Sequence, residues 1–146
     1  MIQALELIAA FSALLFAGAA LYITVVEHPV RMALETRVAA MQWAPSYKRA
    51  TLVQAPLALV SFFTGSAAWL FRANVWWLVA ALVLGAVVPF TFIVVMPTNH
   101  KLLAPGRDLA SPETRDLLQK WAKLHGVRTA LSLIASVIYL WLLADV

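Results

Sequence analysis

The sequence predicts an all-α protein, a membrane-embedded up-down-up-down four-helix bundle that forms a single domain over residues 1–146. Two observations support this prediction. The chain is 63% hydrophobic and 12% charged, against roughly 45–50% and about 25% in soluble domains, and so short a chain cannot enclose that much apolar surface. Charged residues also divide the chain into uncharged apolar segments, most of them close to the ~20 residues that cross a bilayer as one helix.

The four spans are expected at about residues 5–27, 50–71, 75–97 and 112–144. Residues 72–74 alone separate the second span from the third, which predicts a tight antiparallel hairpin. The fourth helix is expected to begin before its apolar part, because Ser111, Pro112 and Glu113 are typical of an N-cap, a first-turn proline and a first-turn acid. The small residues expected to let neighbouring helices approach closely include Gly18, Gly65 and Gly85.

The basic residues predict the orientation of the bundle. Of the eleven, four lie in the loop expected at residues 27–49 and six in the segment 97–128, and an even number of spans between these segments puts both on one side of the membrane. The positive-inside rule makes that side cytoplasmic and leaves both termini outside, as in a bacterial inner-membrane protein. The charges interpreted as contacts to lipid headgroups are Arg31, Arg37, Lys48, Lys120 and Lys123.

The composition also excludes several classes of protein. The chain has no cysteine, which excludes a disulfide framework, a thiolate metal site and a quinone-linked thiol oxidase. No nucleic-acid-binding motif accompanies the net charge of +4, so we expect the lipid bilayer, and no nucleic acid, as the partner of these charges.

Polar residues gather at the basic side of the predicted bundle. His28 follows the first span, His100 follows the third, and His125 opens the membrane part of the fourth, and an up-down bundle brings these helix ends together. The second helix adds Arg49 and Gln54 at the same level. One stripe of the fourth helix, at spacings of three and four residues, consists of Trp121, His125, Arg128 and Ser132. This stripe does not suit lipid and should face the bundle interior, where ionisable groups usually mark function.

The residues alone leave several interpretations of the histidines open. His28, His100 and His125 could together bind zinc, copper or non-haem iron with an open fourth position, although each ligand would come from a different helix. A haem held near the membrane surface is a further interpretation. Alternatively, His28 simply ends the first helix, and His100 is a solvated loop residue that contacts lipid headgroups.

Three ordered motifs carry a resemblance to a known family. They are Gly18-Ala19-Ala20-Leu21-Tyr22 leading to Val26-Glu27-His28-Pro29, then Phe90-Thr91-Phe92-Ile93-Val94-Val95-Met96-Pro97-Thr98-Asn99, and Trp121-Ala122-Lys123-Leu124-His125-Gly126-Val127-Arg128. In kind and order they resemble the motifs of the anthrone oxygenase-like membrane proteins, over nearly the whole chain. The resemblance implies a four-helix membrane fold. Fungal members of that family oxidise polyketide anthrones to anthraquinones with molecular oxygen, whereas most bacterial members have no assigned role.

The resemblance also implies a candidate site. The matching positions are His28, Thr91, Asn99, Trp121, His125 and Arg128. A histidine, His125 or His28, would remove the proton from the activated C–H of an anthrone, and Asn99 and Arg128 would stabilise the enolate oxygen. The carbanion would then react with oxygen directly, without a required cofactor. The residues expected to bind a small aromatic or lipophilic substrate are Trp121, Thr91, Arg49 and Gln54, and Trp43 offers a second ring for stacking.

A function without catalysis is the alternative. Such a protein would bind a lipid, a quinone, a haem or a metal, or would carry a small solute, in which case a chain of 16.0 kDa would need to form a homo-oligomer. A co-purified aromatic compound would favour the oxygenase, and bound lipid alone would favour the binding protein.

Overall fold

The computed structural model describes residues 1–144, and residues 145 and 146 lie outside the described part. Its long helices are α1 (Ile2–Met32), α2 (Thr36–Arg72), α3 (Val75–Leu102) and α4 (Pro112–Ala144), each long and apolar enough to cross a membrane. Residues 1–144 contain no β-strand. The prediction of an all-α integral membrane fold is therefore confirmed.

The four helices form an up-down-up-down ring. Each helix packs against its neighbour in sequence, and α4 closes the ring by packing against α1. The connection between α2 and α3 is the tight hairpin that was expected. Ala73 adopts a left-handed conformation with φ of 55°, and the Asn74 side chain accepts a hydrogen bond of 3.1 Å from the Trp76 N–H, which caps the start of α3.

One end of the bundle, which carries residues 28–49 and 97–125, is called the basic end below. Here the helices run further than expected. Because α1 continues to Met32 and α2 begins at Thr36, the segment 27–49 is mostly helical, and the expectation of a loop there is wrong. The third helix likewise continues beyond residue 97, to Leu102.

Packing between helices explains these longer helices. Trp43, in the early part of α2, is buried in one apolar cluster with Leu117 and Leu118 from the first half of α4. The guanidinium of Arg115 on α4 donates a hydrogen bond of 2.9 Å to the backbone oxygen of Leu34, just past the end of α1. Hydropathy detects only the part of a helix that crosses lipid, whereas these contacts stabilise the part beyond it.

Two of the three glycines named above lie at close helix contacts. A Cβ added at Gly65 would lie 3.0 Å from Cζ of Tyr139 on α4, and one added at Gly85 would lie 2.6 Å from Cδ2 of Phe62 on α2. These glycines therefore allow α2 to approach α4 and α3, as predicted. A Cβ at Gly18 would meet nothing within 4 Å, so the expectation of a close contact at Gly18 is wrong.

Two helices contain a widened, π-helical turn near the basic end. The turns span Ile23–Glu27 in α1 and Thr91–Val95 in α3. In each turn, a backbone N–H donates to the carbonyl five residues earlier: His28 donates to Ile23, and Met96 donates to Thr91. A proline directly follows each donor residue. Such turns often occur at functional sites because they re-aim nearby side chains. Both lie where the sequence predicted polar chemistry.

Candidate functional site

The indole of Trp121 lies at the centre of the polar cluster. As the spacing predicted, Trp121, His125, Arg128 and Ser132 are all buried. The Trp121 ring stacks on His125 at 4.8 Å between centroids and contacts His28 at 5.2 Å and Trp43 at 5.8 Å. Residues from α1, α2 and α4 therefore meet around one ring, with both imidazoles in contact with it.

Arg31 belongs to this cluster, and its interpretation as a lipid-headgroup charge is wrong. The residue is only 2% exposed, and its guanidinium lies 6.0 Å from the Trp121 ring centroid. Its side-chain partners are Glu27, Gln42, Ser46 and His28. Four partners satisfy a charge that would otherwise be costly to bury. The spacing of Glu27, His28 and Arg31, which puts them on one helix face, is the signal that could have revealed this.

The hydrogen bonds of His28 fix which of its ring nitrogens carries the proton. Its Nδ1 lies 2.9 Å from Nη1 of Arg31, and a guanidinium can only donate. Nδ1 therefore accepts, and in the neutral ring the proton resides on Nε2. That Nε2–H is buried near the backbone of Leu118, outside hydrogen-bond geometry with any described residue. His28 thus carries a donor, not a lone pair, at this nitrogen.

The hydrogen bonds of His125 favour the opposite tautomer. Its Nδ1 lies 3.2 Å from the hydroxyl of Thr24, and that hydroxyl also donates to the Ala20 carbonyl at 2.9 Å. Because a hydroxyl has one proton to donate, Thr24 accepts from Nδ1–H, and the lone pair of the neutral ring resides on Nε2. Thr129 supports Thr24 with a hydroxyl contact of 2.8 Å. His125 can therefore act as a base through Nε2.

Arg128 is buried without a carboxylate partner. Its Nη2 donates a hydrogen bond of 3.0 Å to Oε1 of Gln54 on α2, and its guanidinium lies 5.8 Å from the Phe16 ring centroid. None of the ion pairs formed within residues 1–144 includes Arg128. A positive charge held this way favours a ligand that carries negative charge or a strongly polarised oxygen.

Several buried N–H groups at the basic end and in the helix turns next to it have no acceptor within the described chain. They are His28 Nε2, Trp43 Nε1, Gln54 Nε2, Trp121 Nε1 and Arg128 Nε. The corresponding unpartnered acceptor near these helix ends is Oδ1 of Asn99. Since each unsatisfied buried group costs about 1–3 kcal/mol, the excess of donors suits a ligand that presents several acceptor oxygens.

Two spaces border the Arg128 side chain. One, of about 10 Å³, is lined by Arg31, Ser46, Gln54, Trp121, His125 and Arg128, among others, and is large enough for about one water molecule. The second, called the seam cavity below, has a volume of about 90 Å³ and lies between α2 and α3. Its lining is mainly apolar and includes Phe16, Tyr47, Ala58, Val87, Thr91 and Arg128. A polar pocket and an apolar one therefore share a guanidinium.

The remaining predicted site residues fall into two groups. Gln54 accepts a hydrogen bond from Arg128. Thr91 borders the seam cavity, and its hydroxyl donates a hydrogen bond of 2.7 Å to the Val87 carbonyl. Asn99 is fully buried beside Met96. Arg49 is exposed and borders an open groove of about 440 Å³ between α1 and α2. Arg49 is therefore outside the buried cluster.

His100 also lies apart from the other two histidines. It is exposed on the last turn of α3, whereas His28 and His125 are buried. Within residues 1–144, no three His, Cys, Asp or Glu side chains are grouped so that they could hold a metal ion. The structure does not bring together the three histidines of the predicted metal site.

Sequence reasoning missed several residues that shape the site. They are Thr24, Glu27, Arg31, Ser46 and Thr129. Threonine and serine are common in membrane helices, where their hydroxyls often bond to their own backbone, so composition gives no signal for them. Their roles depend on which helices are neighbours and on the widened turn that contains Thr24.

Comparison with known proteins places the chain in a family. The family model for anthrone oxygenases matches residues 43–138, a segment that includes Asn99, Trp121, His125 and Arg128 but not His28. The anthrone oxygenase ptaC of Pestalotiopsis fici is 35% identical over 115 residues, which cover 69% of this chain and 82% of that protein.

Two further fungal proteins match over shorter segments. The anthrone oxygenase tpcL of Aspergillus fumigatus is 39% identical over 64 residues, 42% of this chain and 40% of its own length. An anthrone oxygenase of Claviceps purpurea is 33% identical over 60 residues, 36% of this chain and 34% of its own. No solved structure matches the chain. With the family model covering most of the chain and a relative matched over most of its length, this protein belongs to the anthrone oxygenase family.

Proposed function

We propose that the protein is an oxygenase that converts anthrone-type aromatic ketones into quinones with molecular oxygen, at the buried cluster around Trp121. One observation carries the proposal: unpartnered N–H donors surround Arg128, and they lie beside the His125 imidazole. Nε2 of that imidazole can act as a base. The proposed chemistry needs both parts: a base for a C–H proton, and donors for the oxygen that becomes negative.

The first step is proton transfer from the activated methylene of the substrate. The methylene C–H bonds opposite the ketone of an anthrone are acidic, because loss of a proton there gives an aromatic enolate. Nε2 of His125 accepts the proton, since its Nδ1–H is held by Thr24, and the base thereby keeps its orientation. His28 has its Nδ1 occupied by Arg31 and serves as a donor.

The enolate oxygen is the group that needs stabilisation. Arg128 Nε, Gln54 Nε2 and Trp121 Nε1 have no protein acceptor, so they can donate to this oxygen without breaking existing hydrogen bonds. Fixed donors in a water-poor site stabilise a developing negative charge strongly; the loss of one such donor typically lowers kcat by about 10²–10³-fold. The buried charge of Arg128 adds electrostatic attraction for the anion.

The enolate then reacts with oxygen. One electron passes from the enolate to O₂, the two radicals combine, and a C–O bond forms at the former methylene carbon. The resulting peroxide anion takes a proton from the imidazolium of His125. Removal of the second C–H proton by His125 expels hydroxide as the O–O bond breaks, and the imidazolium protonates the hydroxide. The balance is anthrone plus O₂ giving anthraquinone plus water, and His125 ends unchanged.

Kinetics of two matched variants test the proposal. The wild-type protein, His125→Gln and His28→Gln are purified in nanodiscs, and O₂ uptake and quinone absorbance are followed with 1,8-dihydroxyanthrone against an enzyme-free control. His125→Gln removes the base and should lower kcat by about 10²–10⁴-fold. His28→Gln keeps an N–H donor at the same place and should lose no more than about tenfold.

Two results would contradict the assignment. Equal activity of His125→Gln and the wild type would rule out His125 as the base, and a larger loss in His28→Gln would exchange the two roles. Wild-type protein that leaves the anthrone unoxidised above the enzyme-free rate, and that co-purifies with lipid alone, would favour a lipid-binding protein over an oxygenase.

A further inference from the structure

We propose that the substrate reaches Arg128 sideways from the bilayer, through the seam between α2 and α3, and that Ala55 and Phe92 form the portal. The inference rests on the proposed function, because it concerns the route to the same site. The ligand class is a planar, lipophilic aromatic compound with an acceptor oxygen at its leading edge.

The seam cavity opens toward the lipid-facing surface of the bundle. Its lining includes Thr51 and Ala55 of α2 and Phe92 of α3. All three are exposed, and Phe92 is 66% exposed. They lie within the uncharged apolar stretches of the two helices, so the outer wall of the cavity faces hydrocarbon. Arg128 lines the same cavity, so the cavity runs from the lipid-facing surface to the guanidinium.

Contacts between α2 and α3 close the seam on both sides of this opening. On one side, Phe62 packs so tightly against Gly85 that an added Cβ would lie 2.6 Å from the Phe62 ring. On the other side, nearer the basic end, the hydroxyl of Tyr47 lies 3.6 Å from Sδ of Met96. The portal is the interval between these two contacts.

The cavity must enlarge to accept a three-ring compound. Its volume is about 90 Å³, whereas pockets for drug-sized ligands occupy roughly 300–1,000 Å³. The side chains at its wall can move, because Phe92 extends into lipid and Met96 is an unbranched, adaptable side chain. Pro56 and Pro89 directly follow two lining residues, and a proline interrupts the helical hydrogen bonds that would otherwise stiffen the backbone.

A rival route fits the substrate less well. The groove between α1 and α2 is larger, at about 440 Å³, but it is bordered by Glu27 and Arg49 and reaches Gln54 without reaching Arg128. An apolar aromatic compound entering there would have to displace water from two charged side chains. The seam requires no such desolvation.

Matched tryptophan substitutions distinguish the two routes. Ala55→Trp places a bulky ring in the portal, and Val53→Trp, the control, places the same ring on the exposed surface of the α1–α2 groove. Oxidation of 1,8-dihydroxyanthrone is measured in nanodiscs after melting curves confirm that both variants fold. We expect kcat/KM to fall at least about tenfold for Ala55→Trp and to stay within about twofold for Val53→Trp. If Ala55→Trp does not fold, Thr51→Trp takes its place.

The outcomes separate the route from the function. Wild-type activity in Ala55→Trp, or a loss confined to Val53→Trp, would overturn the portal while leaving the oxygenase intact. If the wild type oxidises no anthrone, the proposed function fails, and the portal is tested by binding of 1,8-dihydroxyanthraquinone. An association rate that Ala55→Trp lowers at least about tenfold would support the portal; an unchanged association rate, or no binding to the wild type, would overturn it.

Discussion

Replacing Arg128 with methionine should lower kcat strongly without unfolding the bundle. The residue is 8% exposed and has no carboxylate partner within the described chain. Removing a charge from the bilayer centre gains about 2.5–3.5 kcal/mol, and the gain is smaller near the membrane boundary, where Arg128 lies. Against this, the Gln54 Oε1 that accepted from Nη2 loses its partner, at about 1–3 kcal/mol.

The contact of Arg128 with Phe16 adds to the loss of stability in Arg128→Met. The guanidinium lies 5.8 Å from that ring, and a desolvated cation–π contact contributes about 2 kcal/mol. The gain offsets part of these losses, so the free energy of unfolding should fall by no more than about 4 kcal/mol. The loss of an oxyanion donor should lower kcat by about 10²–10³-fold.

Urea titration in detergent measures the first quantity, and oxygen uptake with 1,8-dihydroxyanthrone measures the second. Arg128→Lys is the matched control, because it keeps the charge but replaces the planar guanidinium and its Nε–H; its kcat should fall as well. A loss of more than about 4 kcal/mol in Arg128→Met would mean that the guanidinium holds the bundle together. Retained activity in Arg128→Met would refute its role as an oxyanion donor.

Two further predictions concern packing and topology. Gly65→Ala should destabilise the protein by about 1–3 kcal/mol, because the new Cβ would overlap Tyr139 and lie 3.2 Å from the Ala81 Cβ. Gly18→Ala is the control and should not destabilise the protein, because the space around Gly18 is open. Equal melting temperatures of the two variants would contradict the prediction. Because the chain has no cysteine, single cysteines at Ala104 and Ala73 can be labelled in oriented membranes. We expect labelling from the cytoplasmic side at 104 and from the opposite side at 73, and the reverse pattern would refute the orientation.

The number of helices and their neighbours could be predicted from the sequence, because both follow from physical limits. A bilayer sets the length of an apolar span, and a three-residue connection between α2 and α3 forces an antiparallel pair. The helix ends could not be predicted in the same way. The early part of α2 carries exposed charges such as Lys48 and is held by packing of Trp43 against α4, which no property of residues 36–49 alone reveals.

Only part of the site could be predicted, because its other residues also depend on contacts between helices. The stripe of Trp121, His125 and Arg128 depends on spacing within one helix, and its burial could be predicted. Arg31 was misassigned because an arginine near a helix end is usually a headgroup charge. Its burial depends on partners from α2, Gln42 and Ser46, and those contacts exist only once α2 extends beyond the membrane.

The tautomers of the two histidines lay beyond sequence reasoning altogether. The distinction between a base at His125 and a donor at His28 rests on one hydroxyl and one guanidinium, those of Thr24 and Arg31. Both partners sit on α1, one in the widened turn and one in the helical turn after it. The geometry of that turn therefore decides the proposed division of labour between the imidazoles.

The structure of the complex with 1,8-dihydroxyanthraquinone tests the central claim most directly. We expect the rings to lie between α2 and α3, with one quinone oxygen within about 3 Å of Arg128 Nε and the opposite carbonyl carbon facing His125 Nε2. A ligand bound in the groove beside Glu27 and Arg49, or one that leaves Arg128 Nε without an acceptor, would contradict it.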